Sequence, residues 1–217
     1  MTATATHDTE MVDHLIRHPS SCTVPGRGGV ELHDELHVSL GGRTDEGDLP
    51  RFQYSEHPEI APGAGAHLLR LRLDVPAPVR SRRLGPVAVP SEGTRVTFAV
   101  HSVPEGRVYP PRDDPRYRED DRGRPVSRTG LLPPERIDPW ARRLVEGAGI
   151  DPDTLDVSYV GSQDHTKRGP RLSVVKRVHR LSGTGTVSDA VALAAALARG
   201  VGRSRAHGLG LLVVAPL

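Results

Sequence analysis

Two histidines in a leucine-patterned segment are the first candidates for chemistry. His33 and His37 lie four residues apart within residues 30–40. Leucine recurs at every fourth position of this segment, the last two being Leu36 and Leu40, and two glycines follow it. This pattern predicts a short amphipathic helix with a glycine C-cap, on which residues four apart are neighbours. An imidazole has an unperturbed pKa of about 6.5 and can accept or donate a proton at neutral pH. The pair is therefore a candidate proton-transfer site.

Two other interpretations of the same pair stay open. The run His-Asp-Glu-Leu-His is similar to the zinc protease motif H-E-x-x-H, in which glutamate directly follows the first histidine and reaches the metal-bound water. Asp34, one methylene shorter, holds that position here, and no third ligand follows at a familiar spacing. The histidines could also be solvent-facing residues without a catalytic role.

A second candidate lies near the end of the sequence, where four glycines and two arginines fall within residues 200–210. Glycine lets a backbone adopt positive φ and approach a ligand closely, and arginine binds phosphate through paired N–H groups. The spacing fits neither the dinucleotide-binding nor the P-loop motif. Arg203, Arg205, Gly208 and Gly210 are therefore predicted to contact RNA, and a turn without a ligand is the alternative.

The charges are segregated along the chain, although the formal net charge is only +2. From residue 165 to 217 there are nine Lys or Arg and one acidic residue. A basic C-terminal segment is typical of proteins that bind a phosphate backbone, and a solvated charged face is the alternative. The further candidates for RNA contacts in this segment are Lys167, Arg168, Arg171, Lys176 and Arg177.

Residues 200–216 as a whole resemble a known glycine-rich loop. The CasE/Cse family of type I-E CRISPR repeat-processing ribonucleases has G-hydrophobic-G-x-x-K/R-A-x-G-x-G-L-L-x-x-A-P, and every position is met here, with Arg205 at the usual lysine. The resemblance implies an α+β protein of tandem ferredoxin-like (RRM-like) βαββαβ domains. It also implies a metal-independent endoribonuclease without a cofactor, which makes 2′,3′-cyclic phosphate and 5′-hydroxyl ends. The implied partners are the CRISPR repeat hairpin and other Cascade subunits.

The same resemblance implies a catalytic residue. The family's first helix carries its catalytic histidine in a segment like Y-x-x-H-x-x-L, which places Val30, His33 and Leu36 at those positions. His33 is then the candidate for proton transfer. The family's tyrosine falls on Val30 and an assisting lysine falls near Val38, and valine cannot transfer protons; His37 is a possible substitute. The alternative function is a weak or inactive subunit that binds the repeat hairpin.

The remaining elements are predicted from apolar alternation. Residues 11–103 are expected to form the first ferredoxin-like domain, which includes the candidate catalytic helix and is closed by a strand over residues 95–101. Residues 104–134 are predicted to be a linker or mobile loop. Residues 135–217 are predicted to form the second, RNA-binding domain, with a helix capped by Asp138, a basic hairpin and a final helix and strand. In the first domain, Arg70 and Arg72 are predicted to lie on one exposed sheet face, where they could contact phosphate or, as the favoured alternative, be ordinary charges of an edge strand.

Composition limits the location of the protein. The single Cys22 excludes a disulfide within the chain and fits a reducing compartment. Neither an apolar run of about 18 residues nor a signal peptide pattern is present. A cytoplasmic protein without membrane attachment is therefore expected.

Overall fold

The first of two four-stranded sheets lies in the N-terminal part of the chain. A computed structural model describes residues 11–17, Leu36, Leu40, 52–55, 66–78, 81–115, 117–166, 173–203, Arg205 and 208–217. The first sheet consists of β1 (Met11–Arg17), β2 (Phe52–Ser55), β3 (Ala66–Arg72) and β4 (Ser81–Pro86). Its strand order is β2-β3-β1-β4 and all neighbours are antiparallel. This is the strand order of a βαββαβ unit.

The structure describes two residues of the helix expected before β2. Leu36 and Leu40 are helical and buried in one apolar cluster with residues of β1, β2 and β3. The predicted leucine stripe is therefore confirmed at these two positions. His33 and His37 lie outside the described residues.

The second sheet belongs to a complete βαββαβ unit. The remaining elements, in chain order, are β5 (Arg95–Ser102), β6 (Glu105–Val108), β7 (Arg128–Leu131), a 3₁₀ turn (Pro134–Arg136), α1 (Ile137–Glu146), β8 (Ile150–Thr166), β9 (Ser173–Val187), α2 (Ala190–Arg199) and β10 (Val213–Pro216). The second sheet has the order β10-β5-β9-β8 and is antiparallel throughout. The predicted tandem ferredoxin-like α+β fold is thus confirmed.

The prediction that the strand over residues 95–101 closes the first unit is wrong. This strand, β5, pairs with β9 and β10 in the second sheet, and its side chains Val96, Phe98 and Val100 pack in one core with α1 and α2. The first sheet is closed instead by β4, whose sequence Ser-Arg-Arg-Leu-Gly-Pro shows little apolar alternation because it is an edge strand. The division into domains at residues 103 and 134 stays a prediction.

Two further predictions need correction. The predicted linker contains the antiparallel hairpin of β6 and β7. Asp138 does not cap α1, because the 3₁₀ turn runs directly into the helix and Arg136 becomes its N-cap, without a side-chain capping bond. Asp189 does cap α2, since its carboxylate accepts a hydrogen bond from the backbone N–H of Ala192 at 2.8 Å. No helix in the described ranges is long and apolar enough to cross a membrane.

Candidate RNA interface

A row of polar side chains lies on the face of the first sheet that contacts the second unit, and it positions the glycine-rich loop of the candidate interface. Asp13, Arg70 and Gln53 are paired across β1, β3 and β2, so their side chains share this face. Arg70 donates to Asp13 from Nε to Oδ1 at 2.7 Å and from Nη2 to Oδ2 at 2.9 Å. Only 2% of Arg70 is exposed. The prediction of an exposed arginine face on β3 is therefore wrong at Arg70, because β3 is an interior strand covered by the second unit.

This row binds the C-terminal end of α2. Arg70 Nη1 donates to the carbonyl oxygens of Leu197 at 3.1 Å and Leu212 at 2.9 Å. Gln53 Nε2 donates to the carbonyl oxygens of Leu197 at 3.2 Å and Ala198 at 2.7 Å. The last carbonyls of a helix have no partner within the helix, and here the first sheet supplies it. The start of the glycine-rich loop is thereby fixed against the first sheet.

Two of the predicted RNA contacts, Gly208 and Gly210, are buried and have positive φ values of 73° and 80°. A Cβ on Gly208 would lie 2.5 Å from the ring of Tyr54, and a Cβ on Gly210 would overlap the carbonyl oxygen of Val201. The Gly210 N–H donates to the carbonyl of His101 at 2.7 Å. Glycine is therefore required here by the packing of the loop itself, and contact with RNA stays a prediction for both residues.

Through Tyr54, the glycine-rich loop packs on the face of the first sheet that also buries the predicted helix residues Leu36 and Leu40. Tyr54 is buried in the same apolar cluster as Leu36 and Leu40. The C-terminal loop therefore packs against a member of the same apolar cluster as Leu36 and Leu40, although loop and leucines are more than 150 residues apart in the sequence.

The two described arginines of the loop are exposed and anchored. Arg203 donates from Nη1 to Thr129 Oγ1 at 3.0 Å, and Arg205 donates from Nη1 to the carbonyl oxygen of Arg199 at 3.2 Å. A guanidinium has five N–H donors in a planar fork, so one anchoring bond leaves others to bind a phosphate. Both side chains are suitable for that role.

Lys176 and Arg177 cannot serve the same surface, because successive residues of a strand point to opposite faces. Lys176 is partly buried and forms an ion pair with Glu105, with Nζ and Oε1 2.6 Å apart. Arg177 is exposed on the other face. Of the two, Arg177 is the better candidate for RNA. The hairpin's predicted tip contacts Lys167, Arg168 and Arg171 lie outside the described residues.

The β6–β7 hairpin supports this region, and sequence reasoning missed it. Glu105 of β6 binds Lys176 of β9, while Thr129 of β7 binds Arg203 of the glycine-rich loop. The hairpin therefore connects the second sheet to the loop. Its strands are four residues long and polar, so no apolar period marks them in the sequence.

A metal site was one alternative for the histidine pair. Within the described ranges, no group of three or more His, Cys, Asp or Glu side chains is placed to hold a metal ion. His33 and His37 are not among those residues, so the zinc hypothesis stays untested.

Comparisons with known proteins agree with this architecture. The Escherichia coli str. K-12 CRISPR-associated protein Cas6e is 19% identical, with a TM-score of 0.63 over 95% of this chain and 100% of that one. Thermus thermophilus Cse3, bound to an RNA representing a pre-cleavage complex, is 22% identical, with a TM-score of 0.62 over 95% and 99%. A chain of a CRISPR RNA-guided surveillance complex is 18% identical, with a TM-score of 0.57 over 95% and 100%.

These likenesses support the fold, and the family follows from the sequence. No curated protein matches the chain. The family model described as CRISPR associated protein matches residues 70–216, which is more than half of the sequence. The chain therefore belongs to the CRISPR-associated protein family.

Proposed function

We propose that the chain is a metal-independent endoribonuclease that binds the hairpin of a CRISPR repeat transcript and cuts it at the 3′ base of the stem. The observation that supports this most is the packing of Gly208 on Tyr54, within the cluster that contains Leu36 and Leu40. This packing supports an arrangement in which a loop with two exposed arginines and the helix predicted to carry His33 serve one site. A phosphate-binding group and a proton-transfer group would then act on one strand.

The chemistry that this arrangement would serve needs no metal ion. The 2′-hydroxyl of the substrate attacks the adjacent phosphorus, so an O2′–P bond forms and the P–O5′ bond breaks. One group accepts the 2′-hydroxyl proton and another donates a proton to the leaving 5′-oxygen, which leaves a 2′,3′-cyclic phosphate and a 5′-hydroxyl. His33 is proposed for proton transfer, with His37 as its helper. Arg203 and Arg205 would bind the phosphate and stabilise its added charge.

The partners follow from the similar structures. One of them is bound to RNA and another belongs to a CRISPR RNA-guided surveillance complex. We therefore propose that this chain keeps the cleaved hairpin and joins other subunits of a Cascade-like complex.

The test is cleavage of repeat RNA in EDTA by the wild type and by His33→Ala. We expect one cut by the wild type and a rate about 10² to 10⁴ times lower in the variant, since general acid–base catalysis contributes that much. Hairpin affinity should be unchanged, and a substrate with a 2′-deoxy nucleotide at the cut should stay intact. Cleavage that EDTA abolishes and zinc restores would contradict the proposal and favour the metal hydrolase.

A second candidate function is a subunit that binds the hairpin without useful nuclease activity. It is favoured by Val30, on which the family's tyrosine falls, and by Val38, near which an assisting lysine falls. Tight binding of the hairpin with no cut by the wild type would support this candidate.

A further inference from the structure

The β8–β9 hairpin is longer than the core that it covers. Val157 and Leu181 are paired across the two strands and pack in the core of the second unit. The strands continue toward the tip, where the next pair on the same face is Tyr159 and His179. The pair beyond it joins Ser162 to Arg177. His179 is still buried on this face, whereas Tyr159 and Arg177 are exposed on it.

A β-bulge sets the direction of the Tyr159 side chain. Tyr159 is paired with His179 and Gly161 with Val178, so the register passes over Val160. Residues three apart in a regular strand point to opposite faces, and one extra residue restores them to the same face. The Tyr159 hydroxyl accordingly lies 2.7 Å from Ser162 Oγ. The ring is thereby turned along the hairpin toward Ser162, the residue paired with Arg177.

The ring is exposed but held in place. Tyr159 is 57% exposed, although its hydroxyl is hydrogen-bonded and its ring is 5.5 Å from that of His179 in an edge-on arrangement of 60°. An unpaired nucleobase stacks best on a ring whose orientation is already fixed, and a nearby cation can bind its phosphate. Arg177 is the residue placed to supply that cation.

We propose that Tyr159 is a stacking platform for an unpaired nucleobase beside the stem of the bound RNA, with Arg177 on the phosphate of that nucleotide. The inference rests on the proposed function, because it requires the chain to bind a repeat RNA. The tip that joins β8 to β9 contains Lys167, Arg168 and Arg171, which are predicted to contact the stem. A platform on the same hairpin would then meet nucleotides that flank the stem.

The experiment measures the affinity of the full chain for repeat RNA by fluorescence anisotropy. Stacking on one base accounts for about 5- to 150-fold in affinity, so Tyr159→Ala should bind at least about five times more weakly. Tyr159→Phe keeps the ring and should bind within about twofold of the wild type. The matched control is Tyr109→Ala, which removes an equally exposed tyrosine (62%) that follows β6 and should leave affinity unchanged. Circular dichroism confirms that each variant is folded.

A scan with abasic nucleotides at the unpaired positions identifies the base. One abasic position should weaken binding to the wild type and have no further effect on Tyr159→Ala. If the wild type binds the RNA and Tyr159→Ala binds equally well, or if no position shows this loss of additivity, the platform is refuted while the proposed function stands. If the wild type binds no repeat RNA, both fail. If Tyr159→Ala impairs only assembly with another protein, the face is a protein contact and the platform is also refuted.

Discussion

Arg70 forms hydrogen bonds to four oxygen atoms while almost none of its surface meets solvent. Two of these oxygens belong to Asp13, and the other two are backbone carbonyls of the second unit. A charge removed from water is tolerated only when hydrogen bonds and an opposite charge replace its hydration in this way. The alternation of leucine and arginine in β3 predicts one buried and one polar face. It cannot predict that a segment more than 120 residues later covers the polar face as well.

Arg70→Ala should lower the free energy of unfolding by about 3–5 kcal/mol, because it leaves Asp13 without its buried partner. Urea denaturation followed by circular dichroism gives this value. The matched control is Arg95→Ala, which removes the exposed ion pair with Asp153 and should cost about 0–1 kcal/mol. Equal losses in the two variants would show that the buried pair has no special role in joining the units.

At the scale of the element, the sequence identifies the glycine-rich loop but not the reason for its glycines. Glycine content and arginine spacing predict a loop that approaches a ligand. The structure shows Gly208 against Tyr54, a contact that depends on the third dimension and leaves no local signal. The end of α2 at Gly200, by contrast, follows a local rule, since a glycine with a φ of 76° comes directly after the last helical residue.

Gly208→Ala should destabilise the protein more than the same change at Gly123. Both glycines have φ near 70°, which costs an alanine about 1–2 kcal/mol at either position. A Cβ at Gly208 would also meet the Tyr54 ring at 2.5 Å, whereas a Cβ at Gly123 meets nothing within 4 Å. The overlap should add about 1–3 kcal/mol. Thermal or urea unfolding of the two variants measures the difference.

Similar losses at Gly123 and Gly208 would mean that backbone strain alone explains the requirement for glycine. In that case the contact with Tyr54 would not hold the loop. A larger loss at Gly208 would identify this contact as part of what fixes the loop beside the first unit.

At the scale of the whole molecule, the sequence predicts two similar units but not which strand belongs to each. The strands from β1 to β3 and from β8 to β9 follow apolar patterns that periodicity detects. The polar edge strand β4 has little such pattern, so apolar alternation predicts β5 as the last strand of the first unit in its place. Strand order is decided by which faces bury together, and that information is not local.

A buried histidine in each of the two sheets should make the free energy of unfolding fall in acid. Burial lowers the pKa of His14 in β1, with Arg83 acting in the same direction and Asp13 opposing it. Burial likewise lowers the pKa of His179 in β9. Each folded-state pKa therefore lies below the unfolded value of about 6.5, so between the two values the unfolded chain binds more protons. The free energy of unfolding should be highest above pH 6.5 and should fall as the pH falls below it.

Urea unfolding at a series of pH values from 8 to 5 measures this slope, with the ionic strength held constant. Substitution of His14 and His179 by Gln in one variant removes both titrating groups. This variant should be less stable at pH 8, because each imidazole packs in the fold, but its stability should change less between pH 7 and pH 5.5. Charged neighbours differ between the two sites: Arg83 and Asp13 flank His14, and Arg177 flanks His179. Each single variant should therefore remove only part of the slope. A slope that the double variant leaves unchanged would assign the acid response to other groups.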